Sequence, residues 1–321
     1  MRRRCLSLVL GMVVAAACLA DGAWAAGAEV NVVFIPKSRD QEFWTFMRDG
    51  VDRAIREADG VKVALTWRGP AYNDQVDVQI KLLQMYTSPT VDAIVLAPTD
   101  RVRLVEPVRR AAAMGIKVIV VDSALDGRDY QNFIATDNHA AGALAAQRLA
   151  ALLDAQGEVL ILRTVAGSAS TDQRADGFAE YLKKHAPKVR VVADEYVGAS
   201  RGKVFHEAGQ LLQRFPAVDG IFAVNESSSD GMLRALRQAG LAGKKKFVGF
   251  DSTTFLLDGL EQQEIHGLVV QDPRRMGYMG LKAALAAVNK TPMEPRTILI
   301  DGVMVTLENY RKPEIRALLV P

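Results

Sequence analysis

The chain has almost no cysteine. It has two in 321 residues, Cys5 and Cys18, both in one apolar stretch near the front. So few thiols leave the rest of the chain with no disulfide framework, no thiol nucleophile and no cysteine metal site. Four histidines, His139, His185, His206 and His266, show no metal-ligand spacing. After the first apolar run stands Pro36-Lys37-Ser38-Arg39-Asp40, with no G-x-G-x-x-G and no phosphate loop. That argues against a nicotinamide dehydrogenase and a nucleotide hydrolase. There is no G-x-S-x-G and no Ser/His/Asp set, so the expectation is a chain without catalytic residues, metal or cofactor. Low-complexity segments and Pro- or Ser-rich linkers are missing too. Excess charge is also missing: 40 Lys and Arg face 37 Asp and Glu, for +3 overall. Such a balance makes no electrostatic case for nucleic acid or an anionic membrane.

The front of the chain is different in kind. Met1-Arg2-Arg3-Arg4 precedes an uncharged, mostly apolar run from Cys5 to Ala20, followed by Ala23-Trp24-Ala25. A basic start, a short apolar region and an A-x-A cut site read as a secretory signal peptide over residues 1–25. The apolar run falls short of the ~20 residues of a membrane span. Cys18, preceded by three alanines, is a loose lipoprotein signal and ranks below the cut after Ala25. Removing residues 1–25 takes away three arginines and Asp21, which lowers the formal charge from +3 to +1.

Five short apolar runs in the remainder each end on one polar side chain: Lys37, Asp122, Asn225, Asp251 and Gln271. Runs such as Val118-Ile119-Val120-Val121 read as strands buried on both faces. Helix-spaced segments alternate with them, for example Phe43–Ala58, Gln75–Tyr86, Asp172–Lys184 and Met276–Val288. Repeated β-α units imply parallel sheets with helices on both faces. The length suits two domains. The expected fold is α/β, with two doubly wound parallel-sheet lobes and a crevice between them. In such sheets ligands bind beyond the carboxyl ends of the strands, where the five polar residues stand.

Several motifs carry a family resemblance. They are Phe43-Trp44, Leu96-Ala97-Pro98-Thr99-Asp100, Val120-Val121-Asp122, Ala135-Thr136-Asp137-Asn138, Arg174-Ala175-Asp176-Gly177-Phe178, Ala223-Val224-Asn225-Glu226, Val248-Gly249-Phe250-Asp251 and Val269-Val270-Gln271. In this order the chain resembles the periplasmic sugar-binding proteins of the ribose-binding type, the capture subunits of ABC importers. The resemblance implies a type I periplasmic binding fold with a hinge of three crossings, near residues 136/137, 271/272 and 301/302. The lobes would then be 26–136 plus 272–301, and 137–271 plus 302–321. It also implies ligand contact by Phe43, Trp44, Asp122, Arg174, Asn225, Phe250, Asp251 and Gln271. Ser123 and Lys37 depart from the ribose binders. Lys37, Asp122, Asp172 and Gln173 resemble parts of the autoinducer-2-binding relatives, whereas Val224 and Glu226 do not.

The chemistry of these side chains suits a sugar. Carboxylates accept from hydroxyls, amides give and take, and an arginine donates in a fixed fork. Aromatic rings offer flat surface to the C–H face of a sugar. Other roles compete: Asp122 and Asp251 as turn or helix caps, and Asn225 as the cap of the next helix. Arg174 could pair with Asp172 or Asp176. Phe43 and Trp44 could be core. Lys37 could meet a ligand or pair with Asp122 across the cleft mouth, and Asp172 and Gln173 could only cap a helix. The expectation is a monomeric periplasmic protein that captures a monosaccharide or small polyol and delivers it to an ABC permease and ATPase. The alternative is a binder of autoinducer-2 or another sugar-like signal that feeds a chemoreceptor or sensor kinase. A repressor would need a helix-turn-helix where the signal peptide stands.

Overall fold

The structure, a computed structural model, describes Trp24 and residues 27–319. Apart from Trp24, the signal peptide and the possible lipid site at Cys18 lie outside the described residues.

The first sheet contains β1 (Ala28–Ile35), β2 (Val61–Trp67), β3 (Ala93–Leu96), β4 (Lys117–Val121), β5 (Asn132–Thr136) and β11 (Thr297–Ile300). The second contains β6 (Gln156–Arg163), β7 (Lys188–Tyr196), β8 (Gly220–Ala223), β9 (Lys246–Phe250), β10 (Gly267–Val270) and β12 (Val303–Val305). Their orders match: β2-β1-β3-β4-β5-β11 and β7-β6-β8-β9-β10-β12. Every pairing is parallel except the β10–β12 edge, which is antiparallel. The fold is thus two lobes of parallel-sheet α/β with one antiparallel edge strand.

Strand β1 shows why the runs read as they do. Val32 and Phe34 enter the apolar cluster on one face of the first sheet. Val33 and Ile35 enter the cluster on the other. In β6, Leu160 and Leu162 face one core of the second lobe, and Val159 and Ile161 the other. Side chains alternate along a strand, so burial on both faces demands an unbroken apolar run. Each buried aliphatic or aromatic side chain contributes about 1.5–3 kcal/mol relative to exposure.

Helices α1 (Glu42–Arg56) and α9 (Pro273–Val288) pack closely on the first sheet. Gly50 and Gly277 allow this approach. A Cβ on Gly50 would overlap the carbonyl oxygen of Arg274, and one on Gly277 that of Met47. Helices α4 (Asn138–Leu152) and α5 (Ala169–His185) repeat the device in the second lobe, with Gly142 against Arg174 and Gly177 against His139. The other helices are α2 (Val76–Tyr86), α3 (Val105–Ala113), α6 (Arg201–Arg214), α7 (Glu226–Gln238), α8 (Thr254–Glu261) and α10 (Pro313–Arg316).

The chain passes between the sheets three times: from β5 into α4, from β10 into α9, and from β11 into β12. Asp137 and Asp272 cap the helices at the first two passages, accepting from Ala140 N at 3.0 Å and Arg275 N at 2.9 Å. Two strands escape a reading of the apolar runs. Strand β5 opens with Asn132, whose amide bonds the Met293 carbonyl at 2.9 Å. Strand β12 has three residues and runs antiparallel. Helix α5 also begins at Ala169, three residues before the expected Asp172, which brings Ser170 and Thr171 to the site.

Candidate functional site

All five strand-end residues line one cavity between the lobes, with Gln41, Phe43, Trp44, Asn73, Ser170, Thr171 and Arg174. About 260 Å³ of space lies among these side chains, the solvent at its mouth included.

Strands β1 and β4 supply the first lobe's charges. Lys37 Nζ lies 3.1 Å from Asp122 Oδ2, and both side chains are buried. The pair sits within one lobe and does not span the cleft mouth. What Lys37 spans to is α5: it donates to Ser168 Oγ at 3.2 Å and Ser170 Oγ at 2.7 Å. Three donors thus meet three acceptors. Burial lowers the Lys37 pKa, opposed by Asp122. Phe43 and Trp44 meet edge to face, 4.9 Å between centroids, and Trp44 Nε1 donates to Ser38 Oγ at 3.1 Å. Both rings belong to the first core and also face the cavity.

The second lobe's polar groups form a network around Arg174. Its Nε donates to Asn138 Oδ1 at 2.8 Å and one terminal nitrogen to the Val224 carbonyl at 3.0 Å. The other terminal nitrogen donates to Gln271 Oε1 at 2.8 Å. Phe250 lies beneath the guanidinium, 3.9 Å from ring centroid to Cζ. Gln271 passes the network on, accepting from Thr136 Oγ1 at 2.7 Å and donating to Asp251 Oδ1 at 2.6 Å. Burial pushes the Asp251 carboxyl pKa up, and Arg174 opposes it. Asp251 Oδ2 accepts from Glu226 N at 2.9 Å. The N-cap of α8 is Thr253, so Asp251 does not cap that helix. Asn225 does cap α7, with Oδ1 accepting from Ser228 N at 3.1 Å, and it still faces the cavity.

A second bridge between the lobes uses Glu226. Its carboxylate accepts from the backbone of Glu42 at 3.1 Å and Phe43 at 3.0 Å, in the first turn of α1. Those donors have no partner within the helix, and a carboxylate also complements the positive end of the helix dipole. Arg201 binds the same carboxylate and donates to the Asp40 carbonyl at 3.1 Å. Burial raises the Glu226 pKa to about 8, against the pull of the Phe43 N–H and Arg201.

Eight of the eleven expected residues line the cavity: Lys37, Phe43, Trp44, Asp122, Arg174, Asn225, Asp251 and Gln271. Phe250 lies under Arg174 instead. Asp172 and Gln173 are outside the lining because α5 turns about 100° per residue, setting 170, 171 and 174 on the cavity side. Asp172 instead accepts from Tyr196 OH at 3.1 Å and lies 3.6 Å from Arg163. Asp176 also binds Arg163, which leaves Arg174 free of the surface pairs open to it from sequence. Gln41, Asn73, Ser170 and Thr171 join the lining without having been expected. For Ser170 and Thr171 the spacing from Arg174 was the available signal. Asn73 reads only as a turn residue in Tyr72-Asn73-Asp74.

Residues 32–292 match the periplasmic binding protein domain family. The D-allose-binding periplasmic protein of Escherichia coli (strain K12) is 31% identical over 88% of this chain and 93% of its own. A solved ABC transporter solute binding protein from Agrobacterium vitis, with bound D-fucose, shares 32% identity at a TM-score of 0.86. It covers 90% of this chain, and all of that chain is matched. A carbohydrate transporter solute binding protein from Agrobacterium radiobacter, in complex with D-arabinose, shares 34% identity at a TM-score of 0.86, with 91% and 99% covered.

Proposed function

The chain belongs to the periplasmic binding protein family, and from that premise we propose that it captures a monosaccharide or similar small polyol and delivers it to an ABC importer. The observation that carries this reading is the cavity's donor set. Carboxylates from both lobes, amides and a guanidinium surround two aromatic rings at the carboxyl ends of two sheets. That is the complement of a ring with several hydroxyls and an apolar face. Asp122, Arg174, Asn225, Asp251 and Gln271 make polar contacts in this scheme, and Phe43 and Trp44 stack. A relative named for D-allose binding and solved neighbours holding D-fucose and D-arabinose support the sugar assignment. Asp172, part of the resemblance to autoinducer-2 binders, bonds away from the cavity, which favours the sugar.

The protein is a binder and not an enzyme in this reading, exported to the periplasm by the segment 1–25. It works as a monomer that presents its closed form to a permease and ATPase. The lobes 26–136 plus 272–301 and 137–271 plus 302–321 move about the three crossings. Ligand contacts on both lobes favour closure. Calorimetry of the purified protein with D-allose, D-ribose, D-arabinose, D-fucose and D-glucose tests it. One or more should bind at micromolar concentration or below, and heat from none of them would sink the sugar reading.

A further inference from the structure

Asn73 is the cavity amide whose oxygen is both fully buried and uncommitted among the described residues. It sits in the turn between β2 and α2, is only 6% exposed, and faces the cavity. Its neighbours Tyr72 and Asp74 are exposed, so the turn aims this one side chain inward. The aim is fixed by the backbone. Gln75 Oε1 accepts from Ala71 N at 2.8 Å and Tyr72 N at 3.3 Å, and Gln75 N donates to the Tyr72 carbonyl at 3.2 Å.

Asn73 Oδ1 has no hydrogen-bond partner although it is buried. Two other cavity amide oxygens are occupied: Gln271 Oε1 serves Thr136 and Arg174, and Asn225 Oδ1 serves Ser228. Gln41 donates through its nitrogen to Ser227 at 3.4 Å, and its oxygen is not among the fully buried unpartnered atoms. Three other buried side-chain atoms without a partner occur among the described residues, on Asp40, Asn132 and Arg201. None of those residues lines the cavity. Folded proteins satisfy nearly all buried polar groups, so such an atom in a cavity calls for a donor from the cavity's occupant.

We propose that Asn73 is a specificity-determining residue whose side-chain oxygen accepts a hydrogen bond from one hydroxyl of the bound polyol. The proposal rests on the capture reading above. An amide oxygen takes a donor, and a hydroxyl gives one without adding charge. A carboxylate or phosphate occupant would instead meet Asp122 and Asp251 in the same cavity. A sugar lacking that hydroxyl leaves the buried oxygen unpaired, which makes the site discriminate by omission.

The test is a coupling experiment by calorimetry. Native protein, Asn73→Ala and Asn73→Asp are titrated with D-allose, D-ribose, D-arabinose and D-fucose. The monodeoxy and monofluoro forms of the tightest binder follow. Asn73→Ala should weaken the parent sugar about tenfold, the range of one lost hydrogen bond. For one deoxy position it should cause no further loss. The fluoro sugar at that position, which accepts but cannot donate, should bind as weakly as the deoxy form. Asn73→Asp keeps an acceptor and should still separate the parent from that deoxy form. Equal binding by Asn73→Ala and native protein, or the same loss for every analogue, overturns the assignment and leaves the capture reading intact. A native protein that binds none of the sugars overturns the capture reading, and this one with it.

Discussion

Asp122 and Asp251 occupy the same point of the two lobes. Each follows the fourth strand of its sheet, β4 or β9, with a left-handed backbone, φ 64° and 68°. Each donates its N–H to the neighbouring strand, Asp122 to Ile134 O at 2.9 Å and Asp251 to Val269 O at 2.8 Å. The turn lifts both carboxyl groups into the cleft from opposite sides. A non-glycine residue at positive φ costs of order 1–3 kcal/mol, and such strain gathers at functional sites.

This geometry separates the backbone's demand from the side chain's. Glycine at either position relieves the strain, and alanine keeps it. Urea denaturation should therefore find Asp122→Gly and Asp251→Gly each about 1 kcal/mol more stable than the matching alanine variant. Both substitutions at each site should still abolish or strongly weaken sugar binding. Alanine variants as stable as the glycine variants would show that the left-handed turn is unimportant.

Glu226 makes folding stability depend on pH. Burial pushes its carboxyl pKa up to about 8 in the folded protein, from an ordinary 4.5. A raised acid stabilises the fold when protonated. This contribution is therefore full below 4.5 and is lost as pH rises through about 8. The urea midpoint of the sugar-free protein should fall across that window. Glu226→Gln cannot ionise, so its midpoint should be flatter over the same range. A native midpoint that rises with pH there would show that the α1 N–H groups and Arg201 outweigh burial at this carboxyl.

The close helix pairs set a stability prediction. Gly50→Ala and Gly277→Ala each drive a methyl into the opposing backbone. Backbone cannot rotate away as a side chain can, so α1 and α9 must separate. Each variant should lose about 1–3 kcal/mol or more by thermal or chemical unfolding. Gly202→Ala, with open space around the new Cβ, is the control and should hold native stability.

Helix α5 divides binding from support along three residues. Arg174→Lys replaces a fork that holds Asn138, Val224 and Gln271 with a single point charge. It should weaken sugar binding by at least tenfold and lower stability. Asp172→Asn and Gln173→Ala should leave the dissociation constant within about twofold, since neither lines the cavity. Calorimetry on the three variants checks both statements, and a large loss from Asp172→Asn would return it to the site.

Much of this arrangement is legible in the chain because it repeats a simple rule. A strand buried on both faces must be apolar throughout, so the polar residue ending it is conspicuous. Lys37, Asp122, Asn225, Asp251 and Gln271 all stand out this way and all reach the cavity. Asn73, Gln41 and Ser170 belong to turns and helix starts, where polar residues are ordinary. Their direction is invisible until the turn's hydrogen bonds are known. Strand β12 is three residues long, too short for any periodicity.

The sequence by itself determined the alternation of strands and helices, the two-lobed α/β class, and which polar groups sit at strand ends. Burial of apolar runs sets those features, and burial is local in pattern. Tertiary structure decided which groups share a partner. Lys37 spans to Ser168 and Ser170, 131 and 133 residues away. Glu226 caps a helix 184 residues earlier. Such partners are chosen by how two lobes meet after three passages of the chain, and no periodicity along the chain records that meeting.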